Sequence, residues 1–83
     1  MKILKVYDNE GKTIDRYTVV TDEKYNDLYY CLHLSAYPEH PCGVSLWGEC
    51  EIGAKYLGKE ISFNELSTEI QKHVKRRFAE VEE

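Results

Sequence analysis

The stretch Leu28–Leu34, which reads LYYCLHL, decides the fold of this chain. Its side chains alternate, so the three leucines and Tyr30 would share one face of an extended strand, while Tyr29, Cys31 and His33 would share the other. This alternation predicts a strand.

A helix is the competing interpretation of the same region. Thr21 followed by Asp22 and Glu23 is typical of a helix N-terminus. Four apolar side chains then follow helical spacing: Tyr25, Leu28, Tyr29 and Leu32. We favour the strand, and a helix from Thr21 stays open as the alternative for residues 22–34.

A hairpin is predicted upstream. Its first strand spans Lys2–Tyr7, which is rich in β-branched and aromatic residues, and a polar turn at 8–12 follows, in which Gly11 can adopt a positive φ. The second strand would run over Thr13–Val20, whose composition suits a half-buried pleated surface.

Residues 35–58 are predicted to form a long irregular loop. Pro38 and Pro41 interrupt it, as do glycines at 43, 48, 53 and 58, and only Val44–Trp47 could form a short strand. Loops this long are unusual in a compact domain and are often functional. We therefore expect any functional site to lie here.

The residue pattern at the end of the chain predicts a short strand over Lys59–Phe63 and then a helix over about 64–80. Ser62 or Asn64 would cap this helix. Its apolar seam repeats every three or four residues: Leu66, Ile70, Val74, Phe78 and Val81.

Together these patterns predict an α+β fold in a single small domain over 1–83. A small antiparallel sheet, made of the N-terminal hairpin plus one or two later strands, would be covered by the C-terminal helix.

Composition limits the function classes. The 83 residues are 42% hydrophobic and 31% charged, which is too apolar for a disordered segment, and the net charge of −4 argues against a dedicated nucleic-acid-binding protein. No apolar run is long enough for a membrane span, and Met1–Lys5 turns polar too soon for a secretory signal. These two features, together with the odd number of cysteines, predict a cytoplasmic protein.

Five side chains are the candidate metal ligands: Cys31, His33, His40, Cys42 and Cys50. Zinc takes about four such ligands, but the paired Cys-x-x-Cys spacing that makes a zinc site specific is missing. We therefore expect no stoichiometric zinc and no cofactor, with Cys31 and Cys50 as small buried apolar residues.

Two further functions fit particular residues of the sequence. His40 and Cys42 could form the centre of a small metal-dependent or thiol enzyme, although sequence proximity does not set the distance from imidazole to sulfur. A basic cluster could make the C-terminal helix a nucleic-acid accessory surface: Lys72, His73, Lys75, Arg76 and Arg77. The helical spacing favours a solvated face instead, on which Glu69 and Glu80 pair with Lys72 and Arg76.

The chain also resembles a loosely defined group of sequences. The shared motifs are Asp15-Arg16-Tyr17-Thr18, Leu34-Ser35, Pro38-Glu39-His40-Pro41 with Gly43, Leu57-Gly58-Lys59, Ile61-Ser62-Phe63, Leu66 and Gln71-Lys72-His73-Val74. Over Asp15–Val74 the chain is similar to small uncharacterised proteins of bacteriophages and integrated mobile elements. The resemblance implies no activity. Ser67 stands where that pattern usually has proline, and Cys42 where it more often has a polar amide, which argues further against a metal site.

These patterns predict a non-enzymatic protein-binding module, and the resemblance implies a mobile-element origin. The enzyme centred on His40 and Cys42 and the nucleic-acid accessory protein are the alternatives. Pro38 and Pro41 stiffen the backbone around Tyr37 and His40, so both rings would be presented on a rigid loop. Trp47 is the third candidate binding residue, because aromatic residues often anchor protein interfaces.

Overall fold

The computed structural model describes residues 1–81 and contains one five-stranded antiparallel sheet and one α-helix. The strands are β1 (Ile3–Asp8), β2 (Tyr17–Tyr25), β3 (Leu28–Leu34), β4 (Ser45–Cys50) and β5 (Lys59–Ile61), in the sheet order β4-β3-β2-β1-β5. The helix α1 (Thr68–Val81) is preceded by two short 3₁₀ helices, Lys55–Leu57 and Phe63–Glu65. The predicted α+β class is confirmed.

The N-terminal hairpin forms, but its second strand begins later than predicted. Residues 9–16 are a loop because their polar side chains bond one another: the Asn9 amide donates to the Thr13 hydroxyl at 2.7 Å, and Thr13 donates to Asp15 at 2.9 Å. β2 then runs well past Val20, to Tyr25. Local side-chain hydrogen bonds of this kind compete with strand pairing.

The strand predicted over Leu28–Leu34 is confirmed, and the alternative helix from Thr21 is wrong. β3 pairs with β2 on one side and with β4 on the other. Asn26, at φ 57°, turns the chain between β2 and β3, a backbone conformation that asparagine tolerates.

The region 35–58 is less irregular than predicted. β4 extends to Cys50, beyond the short strand expected over Val44–Trp47, and it pairs with β3 along its whole length. Residues 51–58 then lead from β4 at one edge of the sheet to β5 at the other. Gly58 is required at the end of this crossing, because its φ is 87° and a Cβ there would overlap the Asp8 carbonyl oxygen.

Each face of the sheet has its own apolar cluster. On the helix side, buried residues of the sheet contact the predicted seam: Val6, Val19, Leu32, Leu34, Leu66, Ile70, Val74 and Phe78. On the opposite side, the residues after β4 cover a smaller cluster: Tyr7, Val20, Cys31, Cys50 and Leu57. Burial of four seam residues is confirmed, whereas Val81 is 45% exposed.

The helix begins at Thr68, four residues later than predicted. Ser67 is its cap, since the Ser67 hydroxyl accepts from the Ile70 N–H at 3.3 Å. The predicted cap Ser62 belongs to the preceding 3₁₀ turn, where its N–H donates to Glu65 at 2.6 Å. Within residues 1–81, no helix is both long and apolar enough to cross a membrane.

Candidate functional site

The structure does not bring the five candidate metal ligands together. Cys31 and Cys50 are buried under the crossing segment, as expected for small apolar residues, while His40 and Cys42 are exposed on the loop between β3 and β4. Among residues 1–81, no group of three or more histidine, cysteine or acidic side chains has a geometry that could hold a metal ion.

The His33 imidazole lies beside a buried thiol. Its Nε2 lies 3.2 Å from Cys31 Sγ, and its Nδ1 lies 3.3 Å from Thr18 Oγ1 and 3.9 Å from Asp15 Oδ2. A hydrogen bond with Cys50 and burial both raise the pKa of the Cys31 thiol. Because Cys31 is inaccessible and its thiolate is disfavoured, this arrangement is poorly suited to nucleophilic chemistry.

The contact between His40 and Cys42 involves the Cys42 backbone and not its thiol. The Cys42 backbone N–H donates to His40 Nδ1 at 3.0 Å, so this ring nitrogen is used to hold the loop. The contact stabilises a turn and leaves the exposed Cys42 side chain out of it.

A groove of about 670 Å³ lies between this loop and the start of α1. Its lining comes from both elements: Ala36, Tyr37, Pro38, Glu39, His40, Ser67, Thr68, Glu69 and Ile70. The volume falls in the range of typical ligand pockets, and much of the lining is apolar. Tyr37, a predicted binding residue, is 75% exposed beside it.

Hydrogen bonds fix the shape of the loop. At its base, the Ser35 N–H donates to the Val44 carbonyl at 2.9 Å, and the Val44 N–H donates to the Ser35 hydroxyl at 2.9 Å. Within it, the His40 N–H donates to the Tyr37 carbonyl at 3.1 Å, and the Gly43 N–H donates to the His40 carbonyl at 2.7 Å. The loop is therefore an ordered series of turns.

A side-chain tether joins the loop to the helix and to β4. Arg76 donates to both carboxylate oxygens of Glu39, at 2.6 and 2.7 Å, and Glu39 Oε2 also lies 3.2 Å from His73 Nδ1. On the other side of the ring, His73 Nε2 lies 2.7 Å from Ser45 Oγ. The hydrogen bonds from Arg76 hold the pKa of Glu39 below its ordinary value.

The serine, imidazole and carboxylate of this tether have the connectivity of a catalytic triad, but their setting is structural. His73 is only 4% exposed, and neither His73 nor Ser45 lines the groove. Arg76 also approaches His73 Nδ1 to 3.0 Å, so the ring nitrogen is shared between a cation and a carboxylate. The arrangement can therefore fix the loop against the helix and β4.

Trp47 lies apart from the groove. It stacks on Tyr30 with ring centroids 4.8 Å apart and contacts Phe78 at 5.5 Å, and the Arg77 guanidinium lies 5.8 Å from its ring. The structure therefore brings together Tyr37 and His40 of the three predicted binding residues and places Trp47 against the core.

The basic cluster of the helix is divided between its faces. Lys72 and Lys75 are exposed, as expected for a solvated face, but His73 is buried. Arg76 pairs with Glu39 and not with the expected helix neighbours, and Arg77 pairs with Glu80 at 3.4 Å. Much of the positive charge is thus neutralised within the molecule.

Comparisons with protein-family models, with curated proteins and with solved structures find no match to this chain. Sequence reasoning missed the tether altogether. Its only local signal is a histidine within the apolar period of the helix, one residue before Val74, where a buried polar group requires a partner.

Proposed function

We propose that this chain is a non-enzymatic protein-binding module whose partner is met by the groove between the β3–β4 loop and the start of α1. The observation that supports this most is the combination of an open groove of about 670 Å³ with a loop that is hydrogen-bonded internally and tethered to the helix. A rigid loop loses little entropy when it binds.

The lining indicates the chemistry of the partner segment. Ile70 is buried and Ala36 and Pro38 are half-buried, so together they offer an apolar surface to an aliphatic or aromatic side chain. Glu39 and Glu69 are exposed beside it. A segment with an apolar residue next to lysine or arginine fits both features, and the net charge of −4 favours the approach of a basic partner.

The proposal includes the cytoplasmic location and the mobile-element origin expected from the sequence, with a host or phage protein as the partner. All three cysteines are free thiols, which supports a reducing compartment. The alternatives, an enzyme centred on His40 and Cys42 and a nucleic-acid surface on the helix, gain no support from the contacts described above.

A peptide library displayed on phage and selected on the purified chain tests the proposal. We expect enrichment of peptides that place an apolar residue beside lysine or arginine. For a synthetic peptide of this class, Tyr37→Ala and Glu69→Lys should each weaken binding about tenfold. The melting temperature should change little, because both side chains are exposed.

Tyr25→Ala is the matched control, since Tyr25 is 71% exposed, close to the 75% of Tyr37, and does not line the groove. It should leave peptide affinity unchanged. The proposal fails if no peptide class is enriched, or if the enriched peptides bind the Tyr37→Ala chain as tightly as the unaltered one.

A further inference from the structure

The two edges of the sheet are unequal. β5 has only three residues, whereas β4 has six and reads SLWGEC, without proline or lysine. Within residues 1–81, no strand pairs with the outer side of β4. Proteins usually protect an edge of this length with prolines, lysines or a covering segment, because its free backbone groups can pair with another chain.

The residues of β4 whose backbone groups point outward can be identified. The Ser35 N–H donates to the Val44 carbonyl, so Val44 faces β3. Because backbone direction alternates along a strand, Ser45, Trp47 and Glu49 face away from the sheet. Arg77 Nη2 donates to the Ser45 carbonyl at 3.4 Å, as an outward-facing carbonyl allows.

We propose that β4 is a self-association surface on which a second copy of this chain pairs antiparallel about a two-fold axis at Trp47. In this register Trp47 faces Trp47 of the second copy, and Ser45 faces Glu49. The outward-facing residues of both copies then exchange backbone hydrogen bonds, and the two sheets become one. This surface is separate from the groove of the proposed function.

The side chains of β4 are complementary in this register. Leu46 is 63% exposed on the sheet face that carries His33, and it would lie opposite Gly48 of the second copy. The absence of a side chain at Gly48 leaves room there, and a Cβ would come within 3.1 Å of the His33 ring of the same chain. A large exposed apolar side chain thus meets a glycine, as a self-complementary contact requires.

Charge is complementary as well. Glu49 of the second copy would lie opposite Ser45 on the helix face, beside the Arg77 guanidinium. Its N–H can replace Arg77 at the Ser45 carbonyl, and its carboxylate can then accept from Arg77. The axis repeats both contacts on the other side of the interface.

Two unpartnered donors lie at the same edge. Trp47 Nε1 and Arg77 Nε are buried atoms with no hydrogen-bond partner among residues 1–81, and the Arg77 guanidinium lies 5.8 Å from the Trp47 ring. Unpaired buried donors are rare in folded chains. Glu49 of the second copy would supply a carboxylate beside them.

Sedimentation of the full chain from micromolar to millimolar concentration tests the proposal. We expect the mass to approach twice the 9.7 kDa of one chain. Glu49→Pro should remain monomeric, because it removes an outward N–H while leaving the bonds to β3 in place. Leu46→Ala should weaken the dimer, whereas Ile14→Ala, at a side chain 73% exposed and away from β4, should not.

A charge exchange keeps the test decisive if Glu49→Pro does not fold. Glu49→Arg and Arg77→Glu should each raise the dissociation constant about tenfold, and the double variant should restore it. The proposal is overturned if the unaltered chain is monomeric throughout. It is equally overturned if folded Glu49→Pro still dimerises, or if the double variant is no tighter than the single ones.

Discussion

Val74→Ala tests the packing of the helix against the sheet, because Val74 is 0% exposed at the centre of the helix-side cluster. The change removes two methyl groups, whose transfer from water is worth about 1.6 kcal/mol at about 0.8 kcal/mol each. An unfilled cavity adds to this loss. Alanine is the better helix former by up to about 0.7 kcal/mol, which offsets part of it. We expect a net loss of about 1 to 3 kcal/mol.

Urea unfolding followed by circular dichroism measures this loss, and an unchanged m-value shows that the same surface is buried. Lys72→Ala is the matched control on the exposed face of the same helix and should stay within about 0.5 kcal/mol of the unaltered chain. If Val74→Ala is as neutral as Lys72→Ala at equal m-value, the helix does not pack as described and the reasoning is refuted.

Gly58→Ala should lower the free energy of unfolding by about 2 to 4 kcal/mol in the same urea titration, because Gly58 has a φ of 87° and a Cβ there overlaps the Asp8 carbonyl. Gly11→Ala should lower it by only about 1 kcal/mol, because Gly11 has a similar φ of 85° but no atom near the added Cβ. Arg16 donates to Asp8 at 2.8 Å and lowers the pKa of the Asp8 carboxyl below its ordinary 3.8. The ion pair therefore contributes its full stabilisation above about pH 4, and this stabilisation is lost as the pH falls through the pKa of the folded state. Asp8→Asn should therefore lose less stability than the unaltered chain between about pH 5 and about pH 2, and an equal loss in both would contradict this. Trp47→Ala should lower stability by roughly 2 to 4 kcal/mol in thermal melts, since Trp47 packs between Tyr30 and Phe78, and an unchanged melt would return it to the set of exposed binding residues.

Alternation in Leu28–Leu34 predicted which side chains share a face of β3, and the helical period from Leu66 to Phe78 predicted the buried face of the helix. The alternation did not predict that both faces of β3 are covered, since Cys31 and Leu32 are each 0% exposed. These patterns are local, because the period of a strand or helix sets which side chains share a face, whatever the rest of the chain does. Turn chemistry was harder to predict. The late start of β2 depends on hydrogen bonds of Asn9, Thr13 and Asp15 with one another, and these polar residues also suit a strand end.

The candidate site was predicted only in part. Tyr37 and His40 line one groove, and the prolines beside them indicated an ordered loop. Trp47 was grouped with them because it is aromatic and close in sequence, yet its side chain follows the alternation of β4 onto the helix face. The sequence predicted only a possible short strand over Val44–Trp47 and missed its extension to Cys50, because a strand interrupted by Gly48 has a weak local signal.

The sequence by itself determined the elements that repeat with a period: the apolar seam of the helix and the alternating side chains of β3. Only the tertiary structure decided which residues meet across the sheet. Glu39 and Arg76 are 37 positions apart, and Ser45 and His73 are 28 apart. The two pairs come into contact because β4 and the loop before it lie beside the helix. No local periodicity encodes such a contact, because it depends on the order in which the strands pair and on the closure of long loops.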